Sequence, residues 1–233
     1  MASKVPGHIA IILDGNRRFA RKLGMMPWEG HEFGVKKMQE LFKWCIELGI
    51  KELTLYTFST ENFKRSTKEK EVLFGILKRE FRSMDSRHDI FKEKVRINVV
   101  GRLNLFPADI RKVMLEIMEK TEKHNKLIVN FAVAYGGRQE IVDAFRKIAS
   151  LLKGGKSRID DINEKLVASS LYLNSEPDLV IRPGGEIRIS NFLLWQAAYS
   201  EWIFMKKLWP EFTKEDLINC INDFNARQRR FGS

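Results

Sequence analysis

The chain is poor in cysteine and has no long apolar run. Only two of its 233 residues are cysteines, Cys45 and Cys220, and neither has neighbours at metal-ligand spacing. We therefore expect both to be buried, reduced thiols within helices. No apolar stretch approaches the roughly 20 residues that cross a bilayer, and the first residues lack the apolar segment of a signal peptide. These absences predict a cytoplasmic protein.

The chain also has fewer acidic than basic residues, so its net charge is positive. Lysine and arginine number 41 against 30 for aspartate and glutamate, a formal net charge of +11. The chain lacks a basic stripe interleaved with aromatic residues, so we expect no nucleic-acid partner. Between Lys64 and Arg82 acidic residues accompany the basic ones, which predicts a solvated helix face. The remaining positive charge suits an anionic substrate and peripheral contact with an anionic membrane surface.

Apolar strand-like runs alternate with helix-like segments along the chain. This alternation predicts an α/β fold with a mostly parallel sheet flanked by helices on both faces. The length suits a single domain spanning residues 1–233. We expect strands at about 8–13, 52–58, 95–100, 127–133, 178–182 and 201–205, and helices at about 17–24, 30–48, 67–88, 107–124, 137–153, 161–172, 191–197 and 214–229.

A glycine turn with two arginines and a serine follows the apolar run Leu179 to Ile181. It contains Arg182, Arg188 and Ser190, and it leads into a segment that predicts an apolar helix. Backbone N–H groups and guanidinium forks in such a loop suit a multiply charged oxyanion, above all a diphosphate. An ordinary turn with solvated arginines is the alternative interpretation of this loop taken alone.

Two further strand-like runs end in polar residues of the same kind. Asp14 follows the first run and is succeeded by Asn16 and Arg18, a combination that suits Mg²⁺ and phosphate oxygens. Asp14 alone is equally well explained as the cap of the next helix. Ser59 and Asn62 follow the second strand-like run. Because the carboxyl ends of parallel strands line one crevice, we expect the three groups to converge.

Together these residues resemble the cis-prenyltransferases, the undecaprenyl diphosphate synthase family. The matching segments follow one order along essentially the whole chain, which makes the combination highly specific. They are His8 to Asn16 with Arg18, Gly30-His31 with Gly34, Phe58 to Asn62 with Arg65, Tyr135 to Arg138, Arg182 to Asn191, Glu201, and Arg229 to Gly232.

The resemblance implies a six-stranded parallel core, an elongated hydrophobic tunnel and a homodimer. It also implies head-to-tail condensation of an allylic diphosphate with isopentenyl diphosphate, giving a Z double bond. Apolar residues at helical spacing between Glu71 and Phe91 would line the tunnel, although core packing explains the same stripe. The segment Arg229 to Gly232 would lie near the dimer interface.

The resemblance also implies a role for each matching residue. Asp14 would carry Mg²⁺ and assist departure of the diphosphate, and Glu201 would help to position the metal. The allylic diphosphate would contact Gly15, Asn16, Arg18 and His31, whereas isopentenyl diphosphate would contact Arg182, Arg188 and Ser190. Ser59, Asn62, Phe63 and Arg65 would orient the homoallylic substrate, with Ser59 and Asn62 also candidates for the catalytic proton removal.

Several departures from the family pattern surround the expected diphosphates, among them Ala134 where asparagine is common. Pro27 and its neighbours stand where a basic residue is usual, so one contact to the allylic diphosphate is expected either to be missing or to come from Arg17 or Arg21. Pro183 replaces a threonine, which stiffens the turn and removes a hydroxyl. Ile187 stands where histidine is common, which argues against a histidine relay there.

Several functions follow from these observations. The leading one is a Z-polyprenyl diphosphate synthase that makes the precursor of a lipid carrier. The second is a short-chain, branched-product or other-acceptor prenyltransferase, and the third is a non-catalytic subunit of the same fold. The retained polar residues at the strand ends argue against the third. An all-helical trans-prenyltransferase does not fit, because Asp160-Asp161 lacks the later aspartate of that motif and the pattern is α/β.

Overall fold

Strands and helices alternate along residues 5–227, which this computed structural model describes without the side chains of residues 88 and 89. The strands are β1 His8–Ile12, β2 Glu52–Ser59, β3 Val95–Val100, β4 Leu127–Tyr135, β5 Leu179–Arg182 and β6 Glu201–Phe204. The helices are α1 Asn16–Lys22, α2 Gly30–Leu48, α3 Thr67–Met84, α4 His88–Lys92, α5 Ala108–Lys120, α6 Gly137–Lys153, α7 Glu164–Ser170 and α8 Lys214–Ala226.

The strands form one sheet in the order β3-β4-β2-β1-β5-β6. Every neighbouring pair is parallel, so the predicted six-stranded sheet is confirmed and is wholly rather than mostly parallel. β2 lies on one side of β1 and β5 on the other. The chain therefore leaves these strands in different directions, and a crevice remains at their carboxyl ends.

The sheet is buried on both faces, as its continuous apolar strands predict. All five residues of β1 are buried, and Ile9, Ile11, Leu53 and Leu55 are fully inaccessible to solvent. The amphipathic helix α2 packs against the sheet through its buried face, which includes Cys45. The expected buried, reduced thiols are confirmed for Cys45 and Cys220, and burial raises the pKa of both thiols.

Two predicted helices are wrong in part or in whole. The segment 191–197 consists of turns, because Asn191 and Leu193 adopt left-handed backbone conformations with φ of 62° and 43°. The helix expected over 67–88 ends at Met84, and a separate short helix, α4, follows. Along the described residues, no helix combines the length and the apolar character that crossing a membrane would require.

Candidate active site

Asp14 lies at the carboxyl end of β1 and faces the crevice. The chain turns at Gly15, whose φ is 113°, and α1 begins at the next residue. A Cβ on Gly15 would lie 2.9 Å from the Cβ of Leu208, so both the conformation and the space require glycine there. This turn holds the Asp14 carboxylate at the sheet edge with about a quarter of its side chain exposed.

Two arginines bind the Asp14 carboxylate from opposite sides. Arg182 Nη2 donates to Oδ2 at 2.8 Å, and Arg18 Nη2 donates to Oδ1 at 2.9 Å. Arg182 is almost completely buried, and its Nη1 also donates to Ser190 Oγ at 2.8 Å and to the carbonyl oxygen of Arg188. The pair is therefore fixed before any substrate arrives, because each guanidinium fork is held by a second partner.

Gly184 allows Arg18 and Asp14 to approach the loop after β5. Its φ is 103°, and a Cβ there would lie 2.8 Å from Arg18 Nη2 and 3.0 Å from Asp14 Cγ. Arg18 also donates to the carbonyl oxygen of Gly184. Any side chain at this position would displace the two charged groups.

A second cluster gathers around Glu69, a buried carboxylate near the start of α3. Arg65 Nη1 donates to Glu69 Oε1 at 2.9 Å, while Arg17 Nε and His31 Nε2 each lie 3.6 Å from the same oxygen. Burial, and after it the positive charge of Arg65, lowers the pKa of His31 to about 4. His31 is therefore neutral near pH 7 and can offer one N–H and one acceptor nitrogen.

Ser59 and Asn62 form the wall opposite Asp14. Asn62 Oδ1 accepts a hydrogen bond from the backbone N–H of Ser59 at 3.1 Å, which closes the turn after β2. Asn191 ties this turn to the loop after β5. Its amide donates to Glu61 at 3.3 Å and to Gln139 at 3.1 Å, and its Oδ1 accepts from the backbone N–H of Arg138.

Many of these groups line one cavity of about 600 Å³, although Arg17, Arg18 and Glu69 do not. Its polar end, which we call the mouth, is lined by Asp14, Asn16, His31, Ser59, Asn62, Arg65, Arg182, Arg188 and Ser190. Its other part, the interior, is mostly apolar; it is lined by Val35, Met38, Leu73, Ile76, Leu77, Phe81, Met84 and Phe131, with the carboxylate residue Glu80 among them. The cavity therefore suits an amphipathic ligand with an anionic head and a long apolar chain. Its apolar interior is the expected hydrophobic tunnel between the sheet, α2 and α3.

Three buried polar atoms of the mouth have no hydrogen-bond partner. They are Asn16 Oδ1, His31 Nε2 and Arg182 Nε. Such atoms are costly to bury unless a ligand satisfies them. Arg182 Nε, and His31 Nε2 when it carries the ring proton, can donate to an anionic oxygen-rich group, whereas Asn16 Oδ1 accepts only and needs a donor such as water.

Most residues predicted for the site come together, but two do not. Gly15, Arg17 and Arg18 flank the mouth, whereas Phe63 packs into an aromatic cluster with Phe58, Phe74 and Phe106. Glu201 pairs with Leu179 at the amino end of the sheet and accepts from Arg227 at 2.7 Å. Glu201 therefore lies level with Ile9 of β1. Because Ile9 precedes Asp14 by five residues, Glu201 and Asp14 are roughly 16 Å apart along the strand direction. The segment Arg229 to Gly232 lies outside the described residues.

The donor set of the mouth fits Mg²⁺ only together with a substrate. Among the described residues, no three His, Cys, Asp or Glu side chains cluster as a metal site. Mg²⁺ is typically held by one or two carboxylates plus substrate phosphates and water. Asp14, a partly exposed carboxylate beside an anion-binding mouth, meets that description.

Sequence reasoning missed Glu69 and Asn191. Glu69 lies in the lysine–glutamate segment expected to be solvated, yet it is only 4% exposed. The sequence does contain one signal for Glu69. Ser66 lies three residues earlier, a spacing that marks the start of a helix, and the Ser66 hydroxyl accepts a hydrogen bond from the backbone N–H of Glu69. Asn191 fell within a segment interpreted as helix, so its left-handed conformation could not be anticipated.

Comparison with known proteins agrees with this geometry. The family model described as putative undecaprenyl diphosphate synthase matches residues 12–232. A Pyrococcus horikoshii relative, a tritrans,polycis-undecaprenyl-diphosphate synthase (geranylgeranyl-diphosphate specific), is 50% identical over 230 residues, covering 98% of this chain and 87% of the relative.

Two solved structures share the fold. Lavandulyl diphosphate synthase from Lavandula x intermedia, in complex with dimethylallyl diphosphate, has a TM-score of 0.94 and 35% identity over 98% of this chain and 99% of its own. A probable undecaprenyl diphosphate synthase from Campylobacter jejuni has a TM-score of 0.82 and 33% identity over 99% of this chain and 100% of its own. The chain belongs to the undecaprenyl diphosphate synthase family and is a cis-prenyltransferase that extends an allylic diphosphate primer head to tail.

Proposed function

We propose that this enzyme extends geranylgeranyl diphosphate with isopentenyl diphosphate to a product of about undecaprenyl length. The observation that carries the proposal is one cavity with a polar mouth and a mostly apolar interior. The mouth suits the diphosphates, and the apolar interior suits a long prenyl chain. The primer and product named for the Pyrococcus horikoshii relative support this choice of primer and product length.

The two diphosphates occupy different sides of the mouth in this proposal. The allylic diphosphate lies against Asn16, Arg18 and His31, next to the start of α1. Isopentenyl diphosphate lies against Arg182, Arg188 and Ser190 in the loop after β5. The unpartnered His31 Nε2 and Arg182 Nε support this division, because each half of the mouth then contains one group that can donate to a diphosphate oxygen.

Parting the allylic chain from its diphosphate is the demanding step. Negative charge concentrates on the departing oxygens, and Arg18 and Arg17 stabilise it from fixed positions. One unit-charge pair at 4 Å is worth about 4 kcal/mol at an effective dielectric of 20, so a few fixed donors lower the barrier substantially. Asp14, together with the diphosphate, would hold Mg²⁺, which would supply further charge neutralisation when bound. Ser59 and Asn62 orient the homoallylic substrate for the loss of its proton.

The proposal extends to the protein's surroundings. Residues 1–233 act as one catalytic domain, and two copies form a homodimer. Glu201, which lies far from Asp14 in its own chain, helps to position the metal only within that assembly. The basic surface favours peripheral contact with an anionic membrane, a contact that salt weakens.

Purified protein with labelled isopentenyl diphosphate and primers of increasing length tests the proposal. We expect geranylgeranyl diphosphate to be preferred over farnesyl and dimethylallyl diphosphate, and the added double bonds to be Z. A short or branched product would favour the second candidate, for which the structural similarity to lavandulyl diphosphate synthase is the supporting observation. No product with any primer would favour a non-catalytic subunit.

A further inference from the structure

Asn191 lies where three loops meet at the carboxyl edge of the sheet. Its Oδ1 accepts a hydrogen bond from the backbone N–H of Arg138 at 2.9 Å, which fixes the orientation of the amide, because only its oxygen can accept. Its Nδ2 donates to Glu61 Oε1 at 3.3 Å and to Gln139 Oε1 at 3.1 Å. The protein itself therefore uses both donors of this amide, although the side chain lines the active-site cavity.

The backbone of Asn191 is held as firmly as its side chain. Its carbonyl oxygen accepts from the backbone N–H of Gly137 at 2.7 Å. Gly137 and Arg138 are the first two residues of α6, whose N–H groups need partners from outside the helix. Asn191 and the preceding Ser190 have left-handed backbones, with φ of 62° and 50°. Position 191 favours asparagine, which combines tolerance of this conformation with an amide.

The wall that Asn191 and Glu61 form is thin. Both residues line the active-site cavity, and both also line a second, smaller cavity. The other residues around the second cavity are Arg138, Gln139, Ile189 and Leu194. Because the wall has a cavity on each side, close packing contributes little to its position. The hydrogen bonds of Asn191 therefore fix where it stands.

Glu61 links Asn191 to the turn after β2. Glu61 lies between Ser59 and Asn62, whose side-chain Oδ1 accepts from the backbone N–H of Ser59. Burial would raise the pKa of Glu61, but hydrogen bonds from its own backbone and from Ser59 and Asn191 outweigh that effect and lower the pKa. Glu61 is therefore a carboxylate near pH 7. Through it, Asn191 holds the turn that carries Ser59 and Asn62.

Ser190 links Asn191 to the arginines of the mouth. Ser190 Oγ accepts from the buried Arg182 Nη1 at 2.8 Å, and the Tyr56 hydroxyl donates to the carbonyl oxygen of Ser190 at 3.3 Å. Because Ser190 and Asn191 are consecutive, the amide lies one residue from the isopentenyl diphosphate site. One side chain thus joins the two walls between which isopentenyl diphosphate lies, a placement that rests on the proposed function.

The condensation needs these two walls at a fixed separation. The terminal methylene carbon of isopentenyl diphosphate bonds to the allylic carbon, whose C–O bond breaks as its electron pair leaves with the diphosphate. Carbon 2 of the isopentenyl unit then loses a proton to an acceptor oxygen in the mouth, and the electrons of that C–H bond form the new double bond. A misplacement of about 1 Å can slow such a step roughly 100-fold.

We propose that Asn191 is a positioning residue that sets the Ser59–Asn62 turn relative to the isopentenyl diphosphate site, and with it the rate of proton removal. It acts through Glu61 and Ser190 rather than on the reacting atoms. Loss of its hydrogen bond to Glu61 leaves the arginines of the mouth in place. The substrates then bind nearly as before, while the bound pair reacts more slowly.

A reciprocal exchange of amide and carboxylate tests this inference. Asn191→Asp keeps the size of the side chain and the acceptor for the Arg138 N–H, but it places a second carboxylate at 3.3 Å from Glu61. Adding Glu61→Gln restores one donor and one acceptor with the direction of the hydrogen bond reversed. The total charge of the two side chains then equals that of the wild type.

Asn98→Asp is the matched control, since it also removes an amide donor, here to Asn130 at 2.9 Å. Asn98 lies on β3, three strands from β1. For each protein we would measure the KM for isopentenyl diphosphate, the single-turnover rate constant with enzyme in excess, and the kinetic isotope effect of deuterium at carbon 2. This rate constant does not depend on the fraction of active protein, so a loss of stability alone would not change it.

The inference predicts that Asn191→Asp lowers the single-turnover rate constant roughly 10- to 100-fold, keeps KM within about threefold and raises the isotope effect. The double variant should recover to within about threefold of the wild-type rate constant, and the control should match the wild type in all three quantities. If Asn191→Asp does not fold, Asn191→Gly, which keeps the left-handed backbone and removes the amide, should show the same loss.

A wild-type rate constant in the position 191 variant would overturn the proposal, and so would a double variant without recovery. A loss confined to KM would show that Asn191 binds substrate instead, and a slower rate with an unchanged isotope effect would show that it acts on another step. If the wild type performs no condensation, the proposed function fails rather than this inference.

Discussion

Glu69→Gln is the substitution that most sharply tests how the mouth is organised. The change keeps the size of the side chain and removes the negative charge that lies next to Arg17, Arg65 and His31. Arg17 and Arg65 would then repel each other at the edge of the mouth without a compensating carboxylate. We expect the empty enzyme to lose stability and a bound diphosphate to restore it, because the anion replaces the missing charge.

The magnitude follows from the burial of the partners. Removing one member of a fully buried ion pair costs about 3–5 kcal/mol. Arg65 and Arg17 are 25% and 45% exposed, so solvent relieves part of that loss. We therefore expect the free energy of unfolding to fall by about 1–3 kcal/mol. Saturating pyrophosphate should recover most of this difference and thus stabilise the variant more than the wild type.

Urea unfolding with and without pyrophosphate measures both quantities. Glu140→Gln is the matched control, since Glu140 is equally buried but accepts from Gln196 and the backbone of Tyr172 in a separate network. It should destabilise the protein with no added gain from pyrophosphate. Equal stabilisation of wild type and Glu69→Gln by pyrophosphate would refute the reasoning, because the Glu69 charge would then be unlinked to the anion site.

Three further predictions concern pH and two glycines. The pKa of His31 is about 4 in the folded protein, below its ordinary 6.5, so the unfolded chain binds the extra proton and stability is lost as pH falls from 6.5 toward 4. The free energy of unfolding should fall by about 2 kcal/mol between pH 8 and pH 5 from this group alone. Urea titrations should show that His31→Gln lacks this part of the pH dependence. Gly184→Ala should lower kcat/KM at least tenfold while the protein stays folded by circular dichroism, because its Cβ would displace Arg18 and Asp14; near-normal kinetics would show that their placement is not needed. Gly75→Ala should raise the free energy of unfolding by roughly 0.5–1 kcal/mol, since a Cβ there meets nothing within 4 Å on α3; unchanged stability in urea would contradict this.

The sheet and the polar strand ends could be predicted from the sequence because both depend on local pattern. Ile9 and Ile11 belong to a continuous apolar run, and such runs alternating with helices leave few arrangements other than a parallel sheet. Asp14 and Arg182 end neighbouring strands, so their meeting follows from the topology. The ion pair between them is the direct consequence.

The remaining features depend on long-range packing that no local pattern reports. Glu69 has the sequence context of a solvated helix start, and only the approach of α1 and α2 buries it. The sequence predicts that Phe63 contacts substrate, yet its ring packs against three aromatic neighbours. The turns over 191–197 arise because Asn191 joins three loops, which outweighs the helical preference of the apolar residues that follow.

The account depends most on Asp14, and Asp14→Asn tests it directly. The substitution keeps the size of the side chain but removes the charge that pairs with Arg18 and Arg182. The single-turnover rate of the first condensation, at saturating Mg²⁺ and both diphosphates, should fall roughly 100- to 1,000-fold, as for the loss of one fixed electrostatic group. Asp160→Asn, on an exposed 85% accessible side chain, is the control and should leave the rate unchanged. An Asp14→Asn rate within a few-fold of wild type would contradict the account.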